Sequence, residues 1–315
     1  MIDKIYNEPC LETLSRMPNN FLDCVITSPP YWQLRDYGYP EQWGLEPTFQ
    51  EYLEHLWMLM DEIYRVLKPE GTVWVNLGDT YGSFRGKSGT KPDSFERAEG
   101  KTQNDKHVTN RPSFMRAEFD KCLLLIPHRF AIGCIDRGWI VRNDIIWAKR
   151  NGMPESVTDR FSKKHEYFFF MTKSTKYYFD LDAVRDKATT TDVSKNGSWN
   201  GNKKLTIQPL SDKNTLGGVN TKGKNPGSVS DFWDIPTKPS SADHYATYND
   251  SLLKKPVLAG CPEGGIIYDP FMGSGTTAAV AIRAKRHFIG SEAGKNYFDD
   301  AQKLVESMLM SPTLF

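Results

Sequence analysis

Cys24-Val25-Ile26-Thr27-Ser28-Pro29-Pro30-Tyr31-Trp32 decides how the rest of the chain is read. Its first three residues are the apolar end of a buried strand. The two prolines lack the N–H that a sheet ladder needs, and the residue before a proline is pushed toward an extended conformation. The chain therefore leaves the sheet in a stiff turn that sets Ser28 and Tyr31 at the strand's carboxyl edge, where open α/β sheets bind ligands. Ser28 offers a hydroxyl, the prolines offer carbonyl oxygens without competing local N–H groups, and Tyr31 offers an aromatic face. Together these make a slot for a flat ring with an exocyclic amine. The plainer alternative is a proline-rich surface turn with an aromatic used for packing.

A second stretch weighs against that alternative. Ile266-Ile267-Tyr268-Asp269-Pro270-Phe271-Met272-Gly273-Ser274-Gly275-Thr276-Thr277 runs from an apolar strand into a glycine turn, followed by the small apolar run Ala278 to Ile282. Glycines let the backbone approach a ligand closely at a helix N-terminus. No lysine follows them, so this is not a phosphate loop. Phe288-Ile289-Gly290-Ser291-Glu292 then reads as a second strand ending in a carboxylate, 17 residues after Gly275. An acid near that offset suits a ribose diol.

The pair of stretches resembles the amino-methylating DNA methyltransferases that use S-adenosylmethionine, in their permuted beta-type order. In that family the Pro-Pro-Tyr motif comes first and the Phe-x-Gly-x-Gly motif late, as Ser28 to Tyr31 and Phe271 to Gly275 do here. The resemblance covers nearly all of the chain outside two variable stretches. It implies a Rossmann-like α/β methyltransferase fold with a mainly parallel sheet, circularly permuted motif order and an inserted target-recognition region. Residues 1–185 become the catalytic half, with a variable loop at 82–118; 186–243 the target-recognition insertion; and 244–315 the cofactor-binding half. Serine before Pro-Pro-Tyr, with Trp32 after it, looks more like the members that methylate cytosine N4 than those that methylate adenine N6. Adenine N6 stays open, as does a non-catalytic DNA-binding protein on the same fold.

The resemblance also implies roles. Ser28, Pro29, Pro30 and Tyr31 would hold and stack a flipped base. Asp269, Phe271, Gly273, Ser274, Gly275 and Thr276 would line the cofactor, with Glu292 on its ribose. His244-Tyr245-Ala246-Thr247-Tyr248-Asn249 matches the family's His-x-Ala-x-Phe-Pro apart from Asn249, which brings Ala246 to the methionine end. Trp32, Lys149, Arg150, Lys203 and Lys204 would face DNA. Relatives carry an Asp after the first strand to hold the adenine amine; Asn7-Glu8 stands there, with Glu8 the candidate substitute. Asp79 belongs to a Gly-Asp region that lines the cleft in relatives, a turn or cap being its other reading. The implied partners are double-stranded DNA and, in a restriction-modification setting, a cognate endonuclease; monomer and homodimer both stay open. No metal is expected.

At 315 residues the chain is long enough for one large α/β domain with an inserted lobe. Its net charge is +1, so DNA contact must rest on local patches. Between Gly82 and Glu118, eight basic residues face five acidic ones. Between Lys187 and Ser230, seven lysines face Asp192 and Asp212, and Asn, Gln and Thr there suit base edges. The five cysteines are scattered without a Cys-x-x-Cys pair, as expected of reduced core thiols. Without a signal peptide or an apolar run of 18 residues, a cytosolic protein is expected.

The remaining pattern supplies the scaffold. Met1 to Tyr6 reads as a strand and Cys10 to Met17 as a helix. Thr48 to Val66 is an amphipathic helix, and Leu67 to Gly71 a turn leading into a strand over Thr72 to Leu77. A helix begins near Pro127, strands follow over Trp139 to Trp147 and Tyr167 to Met171, and Asp231 to Ile235 re-enters ordered structure. An amphipathic helix around Leu252 to Leu258 leads to the cofactor strand. His165 reads as structural, because no nucleophile pattern accompanies it.

Overall fold

The computed structural model describes residues 1–39, 42–82, 119–152, 155–185, 229–237 and 250–310. Eight strands form one sheet: β1 (Lys4–Tyr6), β2 (Leu22–Thr27), β3 (Leu67–Leu77), β4 (Ile140–Ala148), β5 (His165–Thr172), β6 (Phe232–Asp234), β7 (Ile266–Asp269) and β8 (His287–Ser291). Their spatial order is β1-β8-β7-β2-β3-β5-β4-β6. Every neighbouring pair is parallel except those made by β5, which runs against both β3 and β4.

Side-chain alternation along the strands divides the core in two. Val25, Val73, Val75, Phe169, Met171 and Tyr268 pack on one face with helices α1 (Cys10–Ser15), α2 (Phe49–Val66) and α3 (Ile126–Asp136). Cys24, Ile26, Trp74, Phe168, Phe170 and Ile267 pack on the other with α4 (Asp250–Gly260), α5 (Thr276–Arg283) and α6 (Lys295–Met310). Residues i and i+2 of a strand share a face, so one run of apolar residues feeds both layers.

Local chemistry sets the ends of the helices. Thr48 caps α2 by accepting the Glu51 N–H at 3.1 Å, and eight residues from Phe49 to Val66 form its buried stripe. Near the other end, the Arg65 guanidinium donates to the carbonyls of Leu14 and Met17 at 2.9 and 2.8 Å, satisfying the end of α1. Asp79 accepts the Ile126 N–H at 3.1 Å and so caps α3.

One expectation is corrected. Leu67 to Gly71 is not a turn before the strand but the first part of β3. Leu67 pairs with Leu22 and Thr72 with Cys24, so five steps on β3 match two on β2. The excess bulges outward with Pro69, whose missing N–H costs nothing there, while Lys68 pairs with Asp23 at 2.7 Å. The last described element is α6, which the sequence reading did not include.

By contacts the chain divides into Met1–Phe179 with Asp231–Phe315, and Asp180–Ser230. In the second unit the described part includes a 3-10 turn, Asp182–Val184, next to an Arg185–Asp182 ion pair of 2.8 Å. All five cysteines are free, and only Cys122 is exposed. No helix among the described residues is long and apolar enough to cross a membrane.

Candidate active site

The sheet changes direction between β7 and β2. From β2 the chain passes through α2 to β3 on one side; from β7 it passes through α5 to β8 on the other. Such a switch point opens a crevice at the carboxyl ends of the two strands. The Ser28–Tyr31 turn leaves β2 there, and the glycine turn leaves β7 beside it.

Two buried carboxylates shape the glycine turn. Asp269, 1% exposed, accepts the Phe271 N–H at 3.0 Å and the Thr277 hydroxyl at 2.6 Å, tying both ends of the turn. Glu292 at the end of β8 accepts N–H groups from Gly273 and Gly294, each at 2.8 Å. Burial raises both carboxyls, Asp269 to about 6 and Glu292 to about 7, against the hydrogen bonds that favour their charged forms. Gly273 sits at φ +54°, and a β-carbon added there would meet nothing within 4 Å, so the backbone itself lines open space. A cradle of bare backbone beside a buried carboxylate with lone pairs to spare fits the ribose and amino-acid ends of S-adenosylmethionine.

Gly275 is constrained differently. At φ +89° its added β-carbon would lie 3.1 Å from the Ala301 backbone, so turn and helix α6 need glycine here. Gly275→Ala should lower unfolding free energy by about 1–3 kcal/mol in a denaturant titration, from left-handed strain and crowding; an unchanged midpoint would contradict this packing.

Across the crevice, the Pro30 carbonyl accepts the Tyr52 hydroxyl at 2.8 Å. The Ser28 hydroxyl and the Pro29 carbonyl have no hydrogen-bond partner among the described residues. The Tyr31 ring lies against Gly78, where an added β-carbon would come within 2.5 Å of Cε2. Its hydroxyl donates to Glu166 Oε2 at 2.7 Å and also lies 3.1 Å from Asn76 Oδ1. Lys149 pairs with the other Glu166 oxygen and sits 4.4 Å over the Trp147 ring.

The aromatic loop after Tyr31 packs between the two motifs. The Trp32 indole donates to the Glu46 carbonyl at 2.9 Å and meets Phe49 edge-on. Trp43 lies 5.4 Å from both His55 and Phe271. Tyr37 meets Tyr297 of α6 at 5.8 Å, and burial together with the Glu292 charge raises the Tyr39 phenol.

Other candidates land elsewhere. Glu8 is engaged by the Thr13 hydroxyl at 2.6 Å and by Arg16, and Asn7 donates to the Glu292 carbonyl at 2.8 Å. Asp79, besides capping α3, carries one buried oxygen without a hydrogen-bond partner among the described residues, and burial raises its carboxyl. Arg150 pairs with Asp234 but is largely exposed. His165 starts β5, 3.1 Å from the Tyr167 hydroxyl. Ala246, Lys203 and Lys204 lie outside the described residues, as do most of 82–118 and 187–230.

Sequence reasoning missed Asn76, Glu166 and Thr277 as parts of the site. The signal for Asn76 was present: an asparagine, 1% exposed, in an otherwise apolar strand. Such a residue must find partners, and it donates to the Tyr167 carbonyl at 2.9 Å.

A glycine turn on buried carboxylates beside a Ser-Pro-Pro-Tyr slot, at the switch point of a mostly parallel sheet, defines a methyltransferase of the Rossmann-like class. A profile of the DNA methylase family, N6 and N4 methyltransferases, matches residues 22–303, and the chain belongs to that family. It is 35% identical to the Type II methyltransferase M.Cfr9I of Citrobacter freundii, over 94% of this chain and 85% of that protein. To M.SmaI of Serratia marcescens it is 34% identical, over 93% and 87%. Among solved structures, PvuII DNA methyltransferase (cytosine-N4-specific) shares the fold with a TM-score of 0.61 and 15% identity, covering 98% of this chain and 91% of that one. The putative DNA modification methylase TTHA0409 of Thermus thermophilus, solved with S-adenosyl-L-methionine, follows at 0.58 and 20%, covering 96% and 93%.

Proposed function

We propose that the chain is a site-specific DNA methyltransferase that moves a methyl group from S-adenosylmethionine to the N4 amine of a flipped cytosine. The observation that carries it is the placement of the Ser28–Tyr31 turn beside the carboxylate-held glycine turn, at the ends of the adjacent strands β2 and β7. Serine at the head of the motif favours cytosine N4, with adenine N6 the second reading on the same slot.

The chemical problem is an amine whose lone pair is conjugated with its ring and buried in a duplex. Extruding the base costs a few kcal/mol, which the pocket must return. Tyr31 offers its ring face for stacking. The Ser28 hydroxyl and the Pro29 carbonyl accept the amine's N–H groups, drawing its lone pair out of conjugation and fixing its direction. No cysteine lies in the turn, so no covalent base adduct forms there. S-adenosylmethionine, when bound, supplies a methyl on a positively charged sulfur. Asp269, Phe271, Gly273, Ser274, Gly275 and Thr276, with Ala246, hold its methionine end, and Glu292 accepts from its ribose hydroxyls.

DNA is met by Trp32, Arg150, Lys203 and Lys204, and the lysine-rich 186–243 region serves target recognition between a catalytic half at 1–185 and a cofactor half at 244–315. Lys149 can reach a phosphate only by giving up Glu166. Type II relatives support a restriction-modification role alongside a cognate endonuclease. Incubation with methyl-tritiated S-adenosylmethionine and duplex DNA tests the activity: label should enter DNA at a defined sequence context, and label spread without sequence preference would count against site specificity.

A further inference from the structure

Tyr31, whose face receives the base in the function proposed above, does not stand free. Its hydroxyl is fastened 2.7 Å from Glu166 Oε2, and the other Glu166 oxygen is held by Lys149. Asn76 Oδ1 lies 3.1 Å from the same hydroxyl, and the Asn76 amide is itself fixed to the Tyr167 carbonyl. On its other side the ring rests on Gly78, which has no side chain to displace it. Four adjacent elements contribute: the turn after β2 supplies Tyr31, β3 supplies Asn76, β5 supplies Glu166, and the residue after β4 supplies Lys149.

The chemistry of the set is specific. A carboxylate accepting from a phenol makes a charge-assisted hydrogen bond, stronger than a neutral one. Glu166 and Lys149 side chains are only 13% and 21% exposed, so water competes poorly for either. The antiparallel β5 brings this about. Because it runs against β3, its first residues arrive at the sheet edge where β2 and β3 end, and Glu166 faces Tyr31 from there.

We infer that Glu166, neutralised by Lys149, is a positioning residue that locks the Tyr31 ring in its stacking plane before the base arrives. It touches neither the base nor the methyl donor and acts only through the phenol. A tyrosine, rather than a phenylalanine, is required at position 31 because the tether needs a hydroxyl. Lys149 accordingly serves the pocket from inside rather than the DNA backbone.

The test is a double-mutant cycle on the full-length protein, with Tyr31→Phe, Glu166→Gln and both together, read as kcat and KM for duplex DNA. Each single variant should lower kcat by about tenfold to a hundredfold through misplacement of the ring. S-adenosylmethionine affinity should stay close to the parent value in each, as should the melting temperature of Tyr31→Phe, which leaves the Lys149–Glu166 pair intact. The double variant should be no worse than Tyr31→Phe alone, because Glu166 has nothing left to hold. Additive losses would overturn the inference, as would full kcat in either single variant. Complete inactivity of Tyr31→Phe would overturn it too, placing the hydroxyl in the chemistry itself. A parent enzyme that methylates no DNA would refute the function instead, which keeps the two failures distinct.

Discussion

Tyr31→Ala and Ser28→Ala should each all but abolish methyl transfer to DNA and leave S-adenosylmethionine binding intact. For Tyr31 the expected loss in kcat is about a thousandfold. Stacking on an aromatic face is worth about 1–3 kcal/mol per base, and an amine left unaligned by about an ångström loses a further factor of about a hundred. For Ser28 the loss comes from the amine's direction rather than from the base's residence, so DNA affinity changes less than turnover. Cofactor binding survives because neither side chain shapes the glycine turn, which Asp269 and Glu292 hold from β7 and β8. Full activity in both variants would remove the slot from the mechanism.

Glu292→Ala carries the second large effect. It leaves the buried N–H of Gly294 without an acceptor, at a cost of about 1–3 kcal/mol, frees the half-buried N–H of Gly273, and removes the acceptor proposed for the ribose. Calorimetry should show S-adenosylmethionine affinity reduced by at least about a hundredfold; unchanged affinity would exclude Glu292 from the cofactor site. The same residue gives a pH signature. Its carboxyl rises from 4.5 to about 7 on burial, so the folded protein binds a proton that the unfolded chain releases. The favourable contribution is complete below pH 4.5 and is lost as pH rises to about 7, a span of roughly 3 kcal/mol. Asp269 loses its own contribution over an overlapping range, up to about pH 6, so the share due to Glu292 is read by comparing the parent with a Glu292 variant over the interval from about pH 4.5 to 7. Glu292→Gln should flatten the decline of melting temperature over that interval, and parallel curves would contradict the assignment.

The parts of the fold legible in the sequence are those that local chemistry enforces. Two prolines after Thr27 must end a strand, and glycines at positions 273 and 275 adopt positive φ just before α5. Side-chain period identified α2 from Thr48 onward. The juxtaposition of β2 with β7 was not legible, since Cys24 and Ile267 pair across most of the chain's length. Pro69-Glu70-Gly71 is a local turn signal overridden by pairing on both sides of it. Helix α6 was passed over although Phe298, Ala301, Val305 and Met308 recur at helical spacing; of these only Ala301 and Val305 are buried. Glu166 was hidden for a different reason. Its partner Tyr31 is 135 residues away and meets it only because β5 is antiparallel.

The central claim is that this slot methylates an exocyclic amine of DNA at cytosine N4. Mixed-sequence duplex DNA is incubated with the protein and radiolabelled S-adenosylmethionine and digested to nucleosides, and the labelled nucleoside is identified by mass spectrometry. N4-methylcytosine is the predicted product. Labelled N6-methyladenine would contradict the choice of base, and DNA without label, under conditions where the cofactor is bound, would contradict the slot's assignment altogether.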